Sequence, residues 1–262
     1  MDRLGAEVRA EVARRLDTIE RENGVRIVFA AESGSRAWGF ASPDSDYDVR
    51  FVYVRPLNDY LALSPPRDVI ETPLEGVWDV NGWDLRKALL LLRKGNAVVI
   101  EWLRSPLVYR EVGPTADAMR RLAERFGDPE SSIRHYGGLM HGLMQRRIAG
   151  RVEVKLKSYI YIMRCACALA WVRQRGTVPP MALADLRAND LPAPVSQALD
   201  DLLAAKTSAD ELGQGARIAI LDDFVADQEA WVMASGALNP RLEDPAFIAA
   251  TDTLFRTAVL GG

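Results

Sequence analysis

Leu4, Val8, Val12, Leu16 and Ile19 recur every three to four residues, the period of one helix face, and Asn23-Gly24 supplies a stop. Apolar, β-branched runs over 25–31 and 49–54 then predict two strands. Shorter runs over 68–72 and 77–80 flank Pro73-Leu74-Glu75-Gly76 and predict a hairpin. Asp84 precedes Leu85-Arg86-Lys87-Ala88-Leu89-Leu90 as a helix N-cap would, and Gly95-Asn96 closes that helix. From 115 to 175 nearly every stretch has helical spacing, broken at Gly127-Asp128-Pro129. After Val178-Pro179-Pro180, short helices alternate with Ala-rich polar stretches. The change of period predicts an α+β protein, with a mixed α/β domain over 1–112 and a helical domain over 113–262.

Composition narrows the class. With 262 residues, 48% of them apolar, the chain can build one large core or two modest ones, which excludes a disordered chain. A net charge of −3 does not mark a general polyanion binder. Its distribution is more informative: between 131 and 164, Arg134, Arg146, Arg147, Arg151, Lys155, Lys157 and Arg164 face Glu153 as the only acid. Cys165 and Cys167, two apart on a predicted helix, project in different directions and predict no mutual disulfide. His135 and His141, six apart, lack metal-ligand spacing. The charged, amphipathic start and the absence of any apolar run of roughly 20 residues predict a cytoplasmic protein with no membrane span.

The candidate chemistry lies between Gly34 and Asp48. Asp46 and Asp48 are separated by one residue, so on an extended strand both carboxylates face one way and can share hard cations through oxygen. Upstream, Gly34 can adopt backbone angles other residues avoid, and Ser35 adds a hydroxyl beside exposed amides. Together they point to two-metal phosphoryl or nucleotidyl chemistry. A calcium-binding loop is excluded, because Val49 stands where its glycine belongs and Arg55 where its glutamate belongs. A P-loop is excluded because no Gly-Lys followed by Ser or Thr occurs. An Asp-x-Asp glycosyltransferase needs no Gly-Ser turn, and a plain polar turn leaves the carboxylate phase unexplained.

Gly34-Ser35-Arg36-Ala37-Trp38-Gly39 with Ser42, Asp44-Ser45-Asp46-Tyr47-Asp48 and Val49-Arg50-Phe51 resembles the signature of DNA-polymerase-β-type nucleotidyltransferases. Asn81-Gly82-Trp83-Asp84-Leu85-Arg86-Lys87, Glu101-Trp102-Leu103, Ser105-Pro106, Lys157-Ser158-Tyr159, Arg164 and Thr177-Val178-Pro179-Pro180 extend the likeness to the group associated with RNA ligase and RNA repair. The resemblance implies a small mixed sheet with flanking helices, followed by a helical domain that binds nucleotide and acceptor. It also implies transfer of a nucleoside monophosphate from a nucleoside triphosphate, expected to be ATP, with release of pyrophosphate. Asp46 and Asp48 would hold Mg²⁺, for which Mn²⁺ can substitute, and Gly34 and Ser35 would seat the β- and γ-phosphates.

A third carboxylate is expected at Asp79, inside the predicted hairpin strand, with Asp84 as the alternate because it doubles as an N-cap. Arg36, Arg50 and Arg86 either touch substrate or hold the acidic site together. Trp38 and Trp83 either stack on a base or anchor packing. Lys157, Tyr161 and Arg164, at i, i+4 and i+7, share a helix face that either closes over a triphosphate or forms a solvated basic stripe. The acceptor is an RNA end, a protein hydroxyl or a small molecule, and the basic segment favours RNA. The competing expectation is a catalytically silent nucleotide-binding or antitoxin-like protein of the same fold.

Overall fold

The computed structural model describes residues 4–188, 190–208, 213–237 and 244–261. They form two compact units. The first contains the chain up to Ala37, Asp46–Gly127 and the final helix; the second contains Trp38–Ser45 and the chain from Asp128 through the helix before the last. These limits differ from a single boundary near residue 112.

The first unit is built on a five-stranded mixed sheet of β1 (Arg26–Glu32), β2 (Tyr47–Val54), β3 (Val69–Glu71), β4 (Trp78–Asp84) and β5 (Val108–Glu111), in the order β3-β4-β2-β1-β5. β2 runs parallel to β4 and antiparallel to β1, while β3 and β5 form antiparallel edges. Helix α1 (Ala6–Asn23) buries Val12, Leu16 and Ile19 against one face of this sheet. Val49, Phe51 and Tyr53 join that core, so the alternate residues Asp48 and Arg50 face the other way. Phe51 stands opposite Gly82 in the β2–β4 register, and a Cβ on Gly82 would collide with the Phe51 ring. Glycine lets a large aromatic cross the neighbouring strand there.

Following Ser33, α2 (Gly34–Trp38) is a single short turn of helix. After α3 (Leu57–Tyr60) and the β3–β4 hairpin, α4 (Leu85–Arg93) starts at Asp84, whose carboxylate accepts from the Arg86 amide. β4 runs through Asp84, beyond the predicted end at residue 80. Gly95, with φ 68°, and Asn96 close α4 as expected, their amides donating to the Leu92 and Leu91 carbonyls at 2.9 and 3.0 Å, and the Asn96 side chain also caps α5 (Ala97–Leu103) by accepting from the Val98 and Val99 amides. α6 (Thr115–Arg125) and α12 (Pro245–Leu260) complete the unit, with Phe126 stacked on Phe247 at 4.4 Å and Arg26 donating to the Ala258 carbonyl.

The second unit is centred on α8 (Lys157–Arg175), buried almost continuously from Tyr159 to Ala170. Around it pack α7 (Pro129–Arg147), α9 (Leu183–Arg187), α10 (Ala193–Ser208) and α11 (Ala219–Ala234). A two-stranded ribbon of β6 (Glu153–Lys155) and β7 (Gln214–Ala216) lies at the start of α8. Cys165 and Cys167 are free and buried, and burial pushes the Cys167 thiol up to about 12. No helix of the described residues is long and apolar enough to cross a membrane.

Candidate active site

The Gly-Ser turn and the first strand carboxylate meet at close range. Gly34 has φ 58°, and a Cβ on it would strike the Asp48 carboxylate, so a residue with a side chain is excluded by backbone angle and by space. The Ser33 amide donates to the Asp48 carbonyl at 2.8 Å, locking the turn to β2. Ser35 is 6% exposed. Arg36 donates Nε–H to the Asp46 carbonyl at 3.1 Å, with its guanidinium 3.9 Å from the centre of the Tyr47 ring. β2 begins at Tyr47, so Asp46 is the exposed residue just before the strand rather than its first member. It remains near enough for its charge to raise the pKa of Asp48.

Strand register places Asp79 directly beside Asp48 across the parallel β2–β4 ladder. Arg50, two residues along the same face, donates Nη2–H to Asp48 Oδ1 at 3.0 Å and to Asp79 Oδ2 at 2.7 Å, and Nη1–H to the Asp79 carbonyl at 2.8 Å. Asn81 donates to Asp79 Oδ1 at 3.1 Å. Asp84, at the other end of β4, is 3% exposed and occupied by the Arg86 amide at 2.8 Å and the Tyr60 hydroxyl at 3.0 Å. Register thus separates the two candidates for a third carboxylate: Asp79 adjoins Asp48, and Asp84 caps α4. Burial raises the pKa of Asp48, an effect that Arg50 opposes.

The sequence reading missed Glu32. This last residue of β1 is fully buried, and its carboxylate accepts from the Asp48 amide at 2.9 Å and the Tyr109 hydroxyl at 2.6 Å. Burial pushes its pKa up to about 7, partly offset by the Tyr109 hydrogen bond. The available signal was an acid placed directly after an apolar strand and just before Ser33-Gly34-Ser35. Tyr109 comes from the unpredicted edge strand β5, so no local pattern could pair the two.

Asp46, Asp48 and Asp79 offer oxygen donors only, the set suited to Mg²⁺ or Mn²⁺. Among the described residues no group of three acidic, His or Cys side chains forms a ready cation cage. Mg²⁺ commonly takes one or two carboxylates together with substrate phosphates and water. The donor set therefore fits the ion, with Arg50 balancing the carboxylate charge.

In the second unit the three residues on one face of α8 have different surroundings. Lys157 is exposed. Tyr161 packs edge-on against Trp38 at 5.9 Å and Phe40 at 5.8 Å. Arg164, expected to grip a triphosphate, is instead 3% exposed, donates to the Met181 carbonyl at 3.0 Å and lies 4.2 Å from the centre of the Trp38 ring. This corrects its expected role, because a buried guanidinium already engaged by a carbonyl holds the unit together.

Trp38 is likewise a packing anchor, as is Trp83, whose ring centre is 4.0 Å from that of Trp102. Arg86 lies over the Tyr60 ring at 4.8 Å. Lys206, also missed, is buried and donates to the Phe40 carbonyl at 2.7 Å. Burial brings its pKa down to about 8. It anchors Trp38–Ser45, the connector between the Gly-Ser turn and the carboxylates.

The chain is 41% identical over 219 residues to the uncharacterized protein YcgL of Bacillus subtilis (strain 168), covering 83% of this chain and 84% of that protein. The family model of the RNA repair pathway DNA polymerase beta family matches residues 8–257. The turn against Asp48, the parallel carboxylate pair and this end-to-end match lead to one conclusion: the chain belongs to the RNA repair pathway DNA polymerase beta family.

Proposed function

We propose that this protein is a Mg²⁺-dependent nucleotidyltransferase that moves a nucleoside monophosphate from a nucleoside triphosphate, with ATP expected, to the end of an RNA strand. The observation that carries this reading is the seating of Asp48 against Gly34, with Asp79 beside it in register. Gly34 lets the Asp48 carboxylate lie against the turn, and the turn offers amides for phosphate oxygens. Asp46 and Asp48 are the proposed Mg²⁺ ligands, where the ion would neutralise phosphate charge and lower the pKa of the attacking hydroxyl. Asp79 accepts the proton of the acceptor hydroxyl as its oxygen bonds to the α-phosphorus and the bond to pyrophosphate breaks. Arg50 holds Asp79 and Asp48 in place through its shared guanidinium. Glu32 fixes the Asp48 backbone from behind.

One observation favours a second reading, the catalytically silent nucleotide binder: Arg50 already neutralises Asp48 and Asp79 as a salt-bridged set. Each α-labelled triphosphate, incubated with Mg²⁺ or Mn²⁺ and an RNA oligonucleotide, separates the two. The first reading expects label on RNA and stoichiometric pyrophosphate, whereas binding without pyrophosphate release supports the second.

A further inference from the structure

A second charged cavity lies in the helical unit, formed by residues the proposed reaction does not use. It measures about 130 Å³, and its polar lining is Arg146, Arg147, Arg151, Lys155, Glu153, Ser158 and Gln214. The cations come from three places in the chain: Arg146 and Arg147 end α7, Arg151 follows in the turn, and Lys155 closes β6. Arg151 donates to the Arg146 carbonyl at 3.1 Å, which ties the turn back to the helix.

None of these four cations has a carboxylate within ion-pair reach among the described residues. Exposed arginines elsewhere divide: Arg14 pairs with Glu11, Arg173 with Asp227 and Arg217 with Asp222, whereas Arg104, Arg121 and Arg256 have no ion pair among the described residues. Helix-end electrostatics account for Arg146 and Arg147, since cations are favoured at a C-terminus. They also account for Arg151, which donates to the last-turn Arg146 carbonyl, but not for Lys155 on β6, which adds like charge to the same small space. Four exposed cations and one carboxylate, Glu153, leave the lining with a surplus of positive charge that suits an anion.

We infer that this cavity is a phosphate-binding site for the RNA strand on which the proposed transferase acts. The inference rests on that reading for its ligand. Size supports a phosphate group rather than a whole nucleotide, because cavities for drug-sized ligands span about 300–1,000 Å³. Guanidinium groups give paired N–H donors that match phosphate oxygens, and the Ser158 hydroxyl and Gln214 amide add neutral donors. The phosphate is either the 5′-terminal group or an internal phosphodiester, and both offer the same oxygens.

The test uses the full chain and the double charge reversal Arg151→Glu/Lys155→Glu, with melting temperature as the check on folding. Fluorescence anisotropy is measured with a single-stranded RNA carrying a 5′-phosphate and with the same RNA carrying a 5′-hydroxyl. The reversal should weaken binding by about tenfold or more and lower the magnitude of the log–log salt slope by roughly 1–2. Loss confined to the 5′-phosphate RNA assigns the terminal group; equal loss on both RNAs assigns a phosphodiester. Ser158→Ala, a milder change, should give a smaller loss in the same direction.

RNA affinity and salt slope equal to wild type in the folded reversal variant overturn the site, including the case where an acidic polypeptide loses affinity instead. Pyrophosphate release, measured separately without RNA, belongs to the transferase reading. RNA binding that depends on Arg151 and Lys155 in a protein that never releases pyrophosphate would therefore sink that reading and leave the phosphate site standing.

Discussion

The strand face of the first unit and the α8 face of the second both carry candidate residues at regular spacing, yet only the strand face brings its candidates together. On β2, Asp48 and Arg50 share a side because the strand period is two, and the parallel register adds Asp79 beside them. On α8, the same kind of spacing places Lys157 in solvent, Tyr161 among rings and Arg164 in the interior. A sheet fixes neighbour and distance together. A helix fixes only direction, and the environment on that side is decided by what packs there, in this case Trp38 and Phe40.

The largest effect expected from this contrast is at Asp79. Asp79→Asn removes the proton acceptor and should lower transfer at least about a hundredfold while triphosphate binding persists. Asp84→Asn should lower transfer less than about twofold, because Asn also caps helices well. Pyrophosphate release by both variants decides between them, and the reverse ranking would exchange the two roles.

Glu32 should show itself in stability. Between its ordinary 4.5 and the raised value of about 7, the folded chain keeps a proton that the unfolded chain has released. Raising pH through that window therefore favours unfolding, by a few kcal/mol for this residue. Urea unfolding from pH 4.5 to 8 should lose part of this decline in Glu32→Gln. An identical pH profile in the variant would show that the carboxylate is not held protonated by the fold.

Arg164→Leu should destabilise the protein by roughly 1–3 kcal/mol, since it strips hydrogen bonds from the buried Met181 carbonyl, and it should leave the triphosphate KM unchanged. A raised KM at wild-type stability would restore the nucleotide-gripping role. The smallest effect belongs to Lys157→Ala, an exposed change expected to alter stability by no more than about 0.5 kcal/mol. If Lys157 does reach the triphosphate, its absence raises KM severalfold, and wild type approaches the variant as salt screens the contact.

Legibility followed the range of the interaction. The helix α1, strands β1 and β2 and the β3–β4 hairpin were readable because period and turn residues are local signals. The Gly34-to-Asp48 motif was readable for the same reason, and so was the place of Asp79 inside a strand. The edge strand β5 was missed because its four residues show no alternation, and with it went the Tyr109 contact to Glu32. The return of α12 to the first unit and the assignment of Trp38–Ser45 to the second depend on contacts across more than a hundred residues, such as Arg26 with Ala258 and Lys206 with Phe40. Arg164 was misread because its partner, the Met181 carbonyl, lies past the turn that follows α8.

The central claim is that the Gly34-Ser35 turn and Asp48 form one reacting centre. Pyrophosphate release from ATP and an RNA acceptor, compared between wild type and Asp48→Asn at saturating Mg²⁺, tests it most directly. The account predicts steady release by wild type and a loss of at least about a hundredfold in a variant that melts at the wild-type temperature or above. Equal release by both proteins would contradict it.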